Sequence, residues 1–250
     1  MIKGTAWGEY IKPAKIFGNL YFIGIRAVCT HLIDTGEGLI IIDPGYSESL
    51  HIIVNNIWEL GFKPTDIKYI VVTHAHYDHM GGAEDVRVVA RELNQVVQVY
   101  GTQKDMLALR RQMPYVFEPT RQSTMKLHYI KPYKSFKIKH LEIMPILQYH
   151  GQCNSIGYRI GDFAYCTDVK SIDKEGWRLL KGIKTWVLGC VTTTENEKHI
   201  HLEEALKWIK KINPNTAYLT HMGSKMDYNQ LKKTLPKGVY PCYDGMVIKL

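Results

Sequence analysis

Apolar residues fall in short runs separated by polar or turn-forming stretches. The runs "NLYFIGI", "GLIIIDPG" and "IKYIVVTH" are β-rich, and the amphipathic stretch from Ser47 to Leu60 between the last two predicts a helix with one buried face. The first third therefore reads as α/β. A helix over Ala83 to Leu93, a strand "VVQVYG" and a helix "QKDMLALRRQM" follow, then a less regular section, "PYVFEPTRQSTM", a candidate substrate-facing insertion. From about Lys126 strands dominate: "KLHYIKP", "SFKIKH", "LEIMPILQYH", "SIGYRIG" and "DFAYCTD", separated by turn residues. The amphipathic helices "LEEALKWIKKI" and "DYNQLKKTL" come last. No linker, repeat or low-complexity segment interrupts the pattern, so a single domain over residues 1–250, two sheets covered by helices, is expected.

Composition narrows the class. With 250 residues and 45% apolar content the chain can bury a substantial core. No run approaches the roughly 18 apolar residues of a membrane span, and "MIKGTAWGEYIKPAK" lacks a signal-peptide apolar region, so a cytoplasmic protein without membrane contact is expected. Cys29, Cys153, Cys166, Cys190 and Cys242 are odd in number, scattered and never in a CxxC pair, which argues for reduced, mostly buried thiols. A net charge of +8 favours anionic substrates. Lys and Arg are nevertheless spread along the chain, so nucleic-acid binding is the less favoured use of that charge. A homodimer is left open.

One stretch changes the picture. "VVTHAHYDHMGG" places His74, His76, Asp78 and His79 within six positions at the end of an apolar run. Residues two apart on a strand share a face, so His74 and His76 point the same way; Asp78 and His79 are adjacent and cannot both join them unless the chain turns. Gly81 and Gly82 are expected to supply the conformational freedom for that turn. Neutral imidazole and carboxylate suit zinc, manganese or iron, and four such groups exceed what one metal with an open position needs. The bland alternative, a surface cluster of histidines, fits poorly with the apolar strand leading in.

A second metal needs more ligands at other strand ends. His150 closes "LEIMPILQYH", Asp168 closes "FAYCTD" and His221 closes "NTAYLTH". Together with the motif they form a metal-ligand constellation. His31, His51, His128 and His140 lack such companions and read as surface or satisfied core residues.

With THxHxDHxGG and these distal residues, the chain resembles the metallo-β-lactamase superfamily of binuclear hydrolases. The resemblance implies an α/β fold, a four-layer αββα sandwich, and two divalent metal ions, zinc or manganese first and iron as a further option. It implies that His74, His76 and His150 hold one ion, Asp78, His79 and His221 the other, and that Asp168 bridges them. Asp43 in "LIIIDPG" matches the family's first motif, where an aspartate braces the ligand loops from behind.

The motif fixes machinery and leaves substrate open. Residues 86–250, with "SIGYRIGDFAYCTDV", "HIHLEEAL" and "YLTHM", resemble the cyclic-phosphodiesterase branch of phosphonate metabolism. In that branch a histidine just before the "LEEAL" helix acts beside the metals; His199 matches it, and His201 is taken as the structural neighbour. Residues 18–82 look closer to lactamase-like and thioesterase-like members, without the cysteine-rich segment of that branch, so the chain reads as a mosaic. The resemblance implies hydrolysis of a small cyclic phosphate or nucleotide phosphodiester by a metal-bridging hydroxide, the cations being roughly 3.5 to 4 Å apart. Asp78 would accept a proton, and a protonated His199 would stabilise charge or feed the leaving alkoxide. A lactone, thioester or β-lactam hydrolase is the alternative, and a non-catalytic nucleic-acid-binding member the second alternative.

Overall fold

The computed structural model describes residues 10–25, 28–117, 123–223 and 225–243. It has a mixed α/β architecture with two large sheets, each in its own compact unit, one running to Ile130 and the other from Lys131 to Tyr243. The centre of the expected insertion, residues 118–122, lies outside the described residues; before it, Pro114–Phe117 forms a single 3-10 turn.

In the first unit, seven strands lie side by side in chain order among the described residues. They are β1 (Ala14–Phe17), β2 (Leu20–Phe22), β3 (His31–Asp34), β4 (Leu39–Ile42), β5 (Ile67–Val71), β6 (Val97–Thr102) and β7 (Met125–Ile130). The first four pair antiparallel, and from β4 to β7 every pair is parallel. Parallel neighbours need crossovers, and helices supply them: α1 (Leu50–Glu59) after β4, α2 (Tyr77–Met80) and α3 (Ala83–Glu92) after β5, and α4 (Gln103–Gln112) after β6. Helix α1 turns Ile52, Ile53 and Ile57 inward, and Ile57 joins Ile41, Ile70 and Val99 in the core. Strand β4 is buried at all four positions, which is why its text is an unbroken apolar run.

The second unit repeats the plan. Its strands are β8 (Phe136–Ile138), β9 (Leu141–His150), β10 (Cys153–Ile160), β11 (Phe163–Cys166), β12 (Ser171–Ile172), β13 (Thr185–Gly189), β14 (Thr216–Thr220) and β15 (Val239–Pro241). The sheet order is β12-β9-β10-β11-β13-β14-β15, with β8 pairing the start of β9. Strands β9 to β11 form an antiparallel meander, and β11, β13, β14 and β15 run parallel. The crossovers are α5 (Lys174–Leu180), α6 (Leu202–Ile212) and α7 (Tyr228–Thr234). Helix α6 carries Glu203 and Glu204 in its first turn and Lys210 and Lys211 in its last, complementing the helix dipole, and ends at Asn213 in the left-handed conformation. Trp177 meets Trp208 edge to face at 4.9 Å, and Lys211 lies over the Trp177 ring. Trp186 on β13 is fully buried; each such large side chain contributes about 1.5–3 kcal/mol.

Among the described residues, no helix is long and apolar enough to cross a membrane. Of the cysteines, only Cys166 and Cys190 are buried, fewer than expected. Burial pushes both thiols up to about 12, leaving them protonated and unreactive.

Candidate metal centre

In the first unit the parallel strands deliver the motif. Past β5 the chain passes through Thr73 and His74 to His76, the residue before α2. His74 Nε2 and His76 Nδ1 face each other at 2.9 Å, and the His74 ring lies 4.1 Å from that of His79. Asp43, fully buried and with φ of 52°, sits just past β4. Its carboxylate accepts from the Thr73 backbone N–H at 2.8 Å, the Thr73 hydroxyl at 2.6 Å and His79 Nδ1 at 2.8 Å. The expected bracing aspartate is thus a saturated anchor. Asp78 lies outside it, 3.5 Å from His79 Nε2.

The glycines work otherwise than expected. Gly81 and Gly82 have ordinary right-handed helical backbones, so conformational freedom is not their use. A Cβ on Gly82 would run into the Pro44 carbonyl oxygen, and one on Gly81 would come within 2.8 Å of the Tyr77 carbonyl. Gly82 N–H donates to Gly45 O at 2.7 Å. Gly82 permits close approach of the chain after the motif helix to the loop after β4, whereas Gly81 makes room for Tyr77 within that helix.

In the second unit, His150 is the last residue of β9, Asp168 lies two residues past β11, and His221 immediately follows β14. Asp168 and His221 both have positive φ, 49° and 56°, a costly backbone state for non-glycine residues that concentrates at functional sites. Around the Asp168 carboxylate stand His221 Nδ1 at 3.2 Å, His150 Nε2 at 3.7 Å and His199 Nδ1 at 3.9 Å. Ligand atoms of His150, Asp168 and His199 all lie within 4.8 Å of one another. His201, by contrast, pairs with Glu204 at 3.8 Å, next to the start of α6. Of the two neighbouring histidines, His199 is the one at the cluster.

His199 is held there by its own loop. Asn196 Oδ1 accepts from the backbone N–H groups of Lys198 and His199, Lys198 O accepts from His150 Nδ1 at 3.0 Å, and Ile200 N–H donates to Val169 O. Burial, outweighing the Asp168 carboxylate, pushes the His199 imidazole down to about 4. That burial favours the neutral imidazole over the protonated one expected.

Partners behind the rings fix the tautomers. Asp43 and the Lys198 carbonyl only accept, so His79 and His150 each carry a proton on Nδ1. The Thr73 hydroxyl donates to Asp43, and the Thr167 hydroxyl donates to Asp168. Each hydroxyl therefore meets a ring nitrogen as acceptor: His74 Nδ1 at 3.1 Å and His221 Nδ1 at 3.2 Å. In all four imidazoles the proton sits on Nδ1, so Nε2 is the nitrogen that could ligate a metal, although His74 Nε2 here accepts from His76 Nδ1. These residues fit divalent cations.

Both clusters thus assemble, each within its unit: His74, His76 and His79 with Asp78 beside them, and His150, Asp168, His199 and His221. Sequence reading assigned no role to Thr73, Thr167 or the Lys198 carbonyl, which set tautomers; the two threonines stand inside the quoted motifs beside the ligands. The other histidines behave as expected: His51 and His140 are exposed, His128 bonds Gln98 and stacks on Tyr100, and His31 is buried.

A profile of the beta-lactamase superfamily domain matches residues 39–222, and the chain belongs to that superfamily, with the metallo-β-lactamase hydrolase fold. An octanoyltransferase of Porphyromonas gingivalis is 30% identical over 184 residues, 71% of this chain and 37% of that protein. The chain thus spans little more than a third of that relative's length. Among solved structures, a diphosphatase from the PhnP family superposes with a TM-score of 0.77 at 23% identity, covering 89% of this chain and 83% of the other. The metallo-β-lactamase fold protein YhfI of Bacillus subtilis gives 0.71 at 17% identity, covering 97% and 96%. The shared fold therefore runs through both the 18–82 and 86–250 segments.

Proposed function

We propose that this protein is a cytoplasmic, dinuclear-metal-dependent phosphodiesterase in which the two units act as one hydrolase domain on a small anionic phosphodiester, a cyclic phosphate or a nucleotide. His74, His76 and His150 would hold one divalent cation, Asp78, His79 and His221 the other, with Asp168 shared; zinc and manganese suit this donor set, and iron is the third choice. Such cations supply Lewis-acid polarisation of a phosphoryl oxygen and an activated water at neutral pH.

The observation that carries the reading is the seat of His199, beside Asp168 and 4.6 Å from the His150 ring. As a neutral imidazole it donates its one N–H to a phosphoryl oxygen on which charge builds. Asp78, a third exposed, accepts a proton where solvent can carry it away. The net charge of +8 draws the anion in. The PhnP-family diphosphatase adds fold-level support.

The second reading, hydrolysis of a thioester, lactone or β-lactam, is favoured for acyl substrates by the likeness to an octanoyltransferase. A panel of a chromogenic phosphodiester, a thioester, a lactone and a β-lactam on metal-replete protein separates the two. The phosphodiester is expected to show the highest kcat/KM; an acyl substrate turned over with no phosphodiester cleavage would replace the first reading by the second.

A further inference from the structure

Asp168 holds a left-handed backbone conformation, uncommon outside glycine, asparagine and aspartate, and a polar chain inside the second sheet fixes its two flanking peptide groups. Gln148 on β9 and Ser155 on β10 are fully buried and face each other directly across the strand pair. Gln148 Nε2 donates to Ser155 Oγ at 2.9 Å and to the Thr167 carbonyl at 2.7 Å. Ser155 Oγ donates to the Asp168 carbonyl at 2.7 Å. The direction of the chain is unambiguous: the two carbonyls only accept, so the amide nitrogen faces Thr167 and the serine proton faces Asp168. Two consecutive peptide groups, those following Thr167 and Asp168, are thereby fixed from within the sheet. Space for the amide comes from Gly157, where any Cβ would collide with Gln148 Oε1 and come within 2.9 Å of Cys166 Sγ.

Nothing in the core requires this arrangement. Two apolar side chains would fill the same space without buried polar groups that must find partners. The bonds converge on the backbone of Asp168, whose carboxylate has three imidazoles around it.

We propose that Gln148 and Ser155 are positioning residues: they hold the Asp168 backbone in its left-handed turn, so that the carboxylate meets the cations with the orientation the shared position needs. This rests on the metal-hydrolase reading above. Metal affinity and ligand-field spectrum should respond to the relay, whereas a role confined to packing would lower stability alone.

The test is Co²⁺ titration of the metal-stripped full chain, followed by visible absorption, for wild type, Ser155→Ala and Ser155→Thr, with thermal unfolding of each metal-free protein. Ser155→Ala is expected to weaken Co²⁺ binding about 10- to 100-fold and shift the visible bands, with Ser155→Thr restoring both, since its hydroxyl can donate to the same carbonyl. Should Ser155→Ala fail to fold, Ser155→Cys, which keeps the volume and weakens the bond, is expected to lie between. Wild-type affinity and bands in Ser155→Ala, or in Ser155→Cys where the alanine variant does not fold, would overturn the relay while leaving the hydrolase reading intact. A wild-type chain that takes up no Co²⁺ would overturn both.

Discussion

The two units put an aspartate at the same place in the same strand plan and use it in opposite ways. Asp43 and Asp168 each lie just beyond the last antiparallel strand, where the sheet switches to parallel pairing, and each has positive φ. Asp43 is enclosed by three hydrogen bonds from Thr73 and His79. Asp168 takes one hydroxyl, from Thr167, and otherwise faces imidazoles of His150, His199 and His221. Topology chooses where a carboxylate is presented; the neighbours decide whether it becomes an anchor or a ligand.

Replacing the ligand should do more damage than weakening the anchor. Asp168→Ala is expected to lose bound metal and several kcal/mol of transition-state stabilisation, about 1000-fold or more in kcat/KM, read by metal analysis and phosphodiester turnover. Retention of two metals would break the comparison at its centre. Next comes His199→Ala, expected to lower turnover about 100-fold with metal content near wild type, while His201→Ala stays close to wild type in both. Metal loss in His199→Ala would make that residue a ligand instead.

The first unit also has a pH response of its own, which has to be subtracted before the aspartates are compared. His31, fully buried on β3 and paired with Ile42, has its imidazole pulled down to about 4 by burial. Below its ordinary value of 6.5 the unfolded chain binds the proton and the folded one does not, so stability is complete above that value and falls as pH drops toward 4. Between pH 6.5 and 5 the loss is about 2 kcal/mol, and His31→Leu should remove it from urea-unfolding curves measured at both pH values. An unchanged pH slope in the variant would clear His31. The smallest effect belongs to Asp43→Asn, which keeps an acceptor for Thr73 and loses the charge behind His79. About tenfold weaker metal binding in chelator competition is expected, and unaltered binding would mean that the anchor works by shape alone.

Much of this was legible because each ligand ends an apolar run: β5, β9, β11 and β14 are strands whose text stops at or near His74, His150, Asp168 and His221. Helices α1, α3, α4, α6 and α7 were legible from their amphipathic spacing. Helix α5 and strand β13 were not; the seven residues of α5 include Gly176, which weakens a helical pattern. The role of Gly81 and Gly82 was misread because a sequence shows a missing side chain without showing that Tyr77 comes close to the first and a carbonyl of Pro44 to the second. Gln148, Ser155 and Thr167 are ordinary polar letters in or beside strands, and only the register of β9 against β10 reveals that the first two touch.

The backing hydrogen bonds at His74, His79, His150 and His221 have a kinetic corollary. Rings tethered through Nδ1 cannot swivel without breaking a bond, so their rotational freedom is surrendered when the chain folds and not when an ion arrives. Capture then consists mainly of shedding solvent, and seats this stiff should discriminate among ions by radius and preferred ligand spacing.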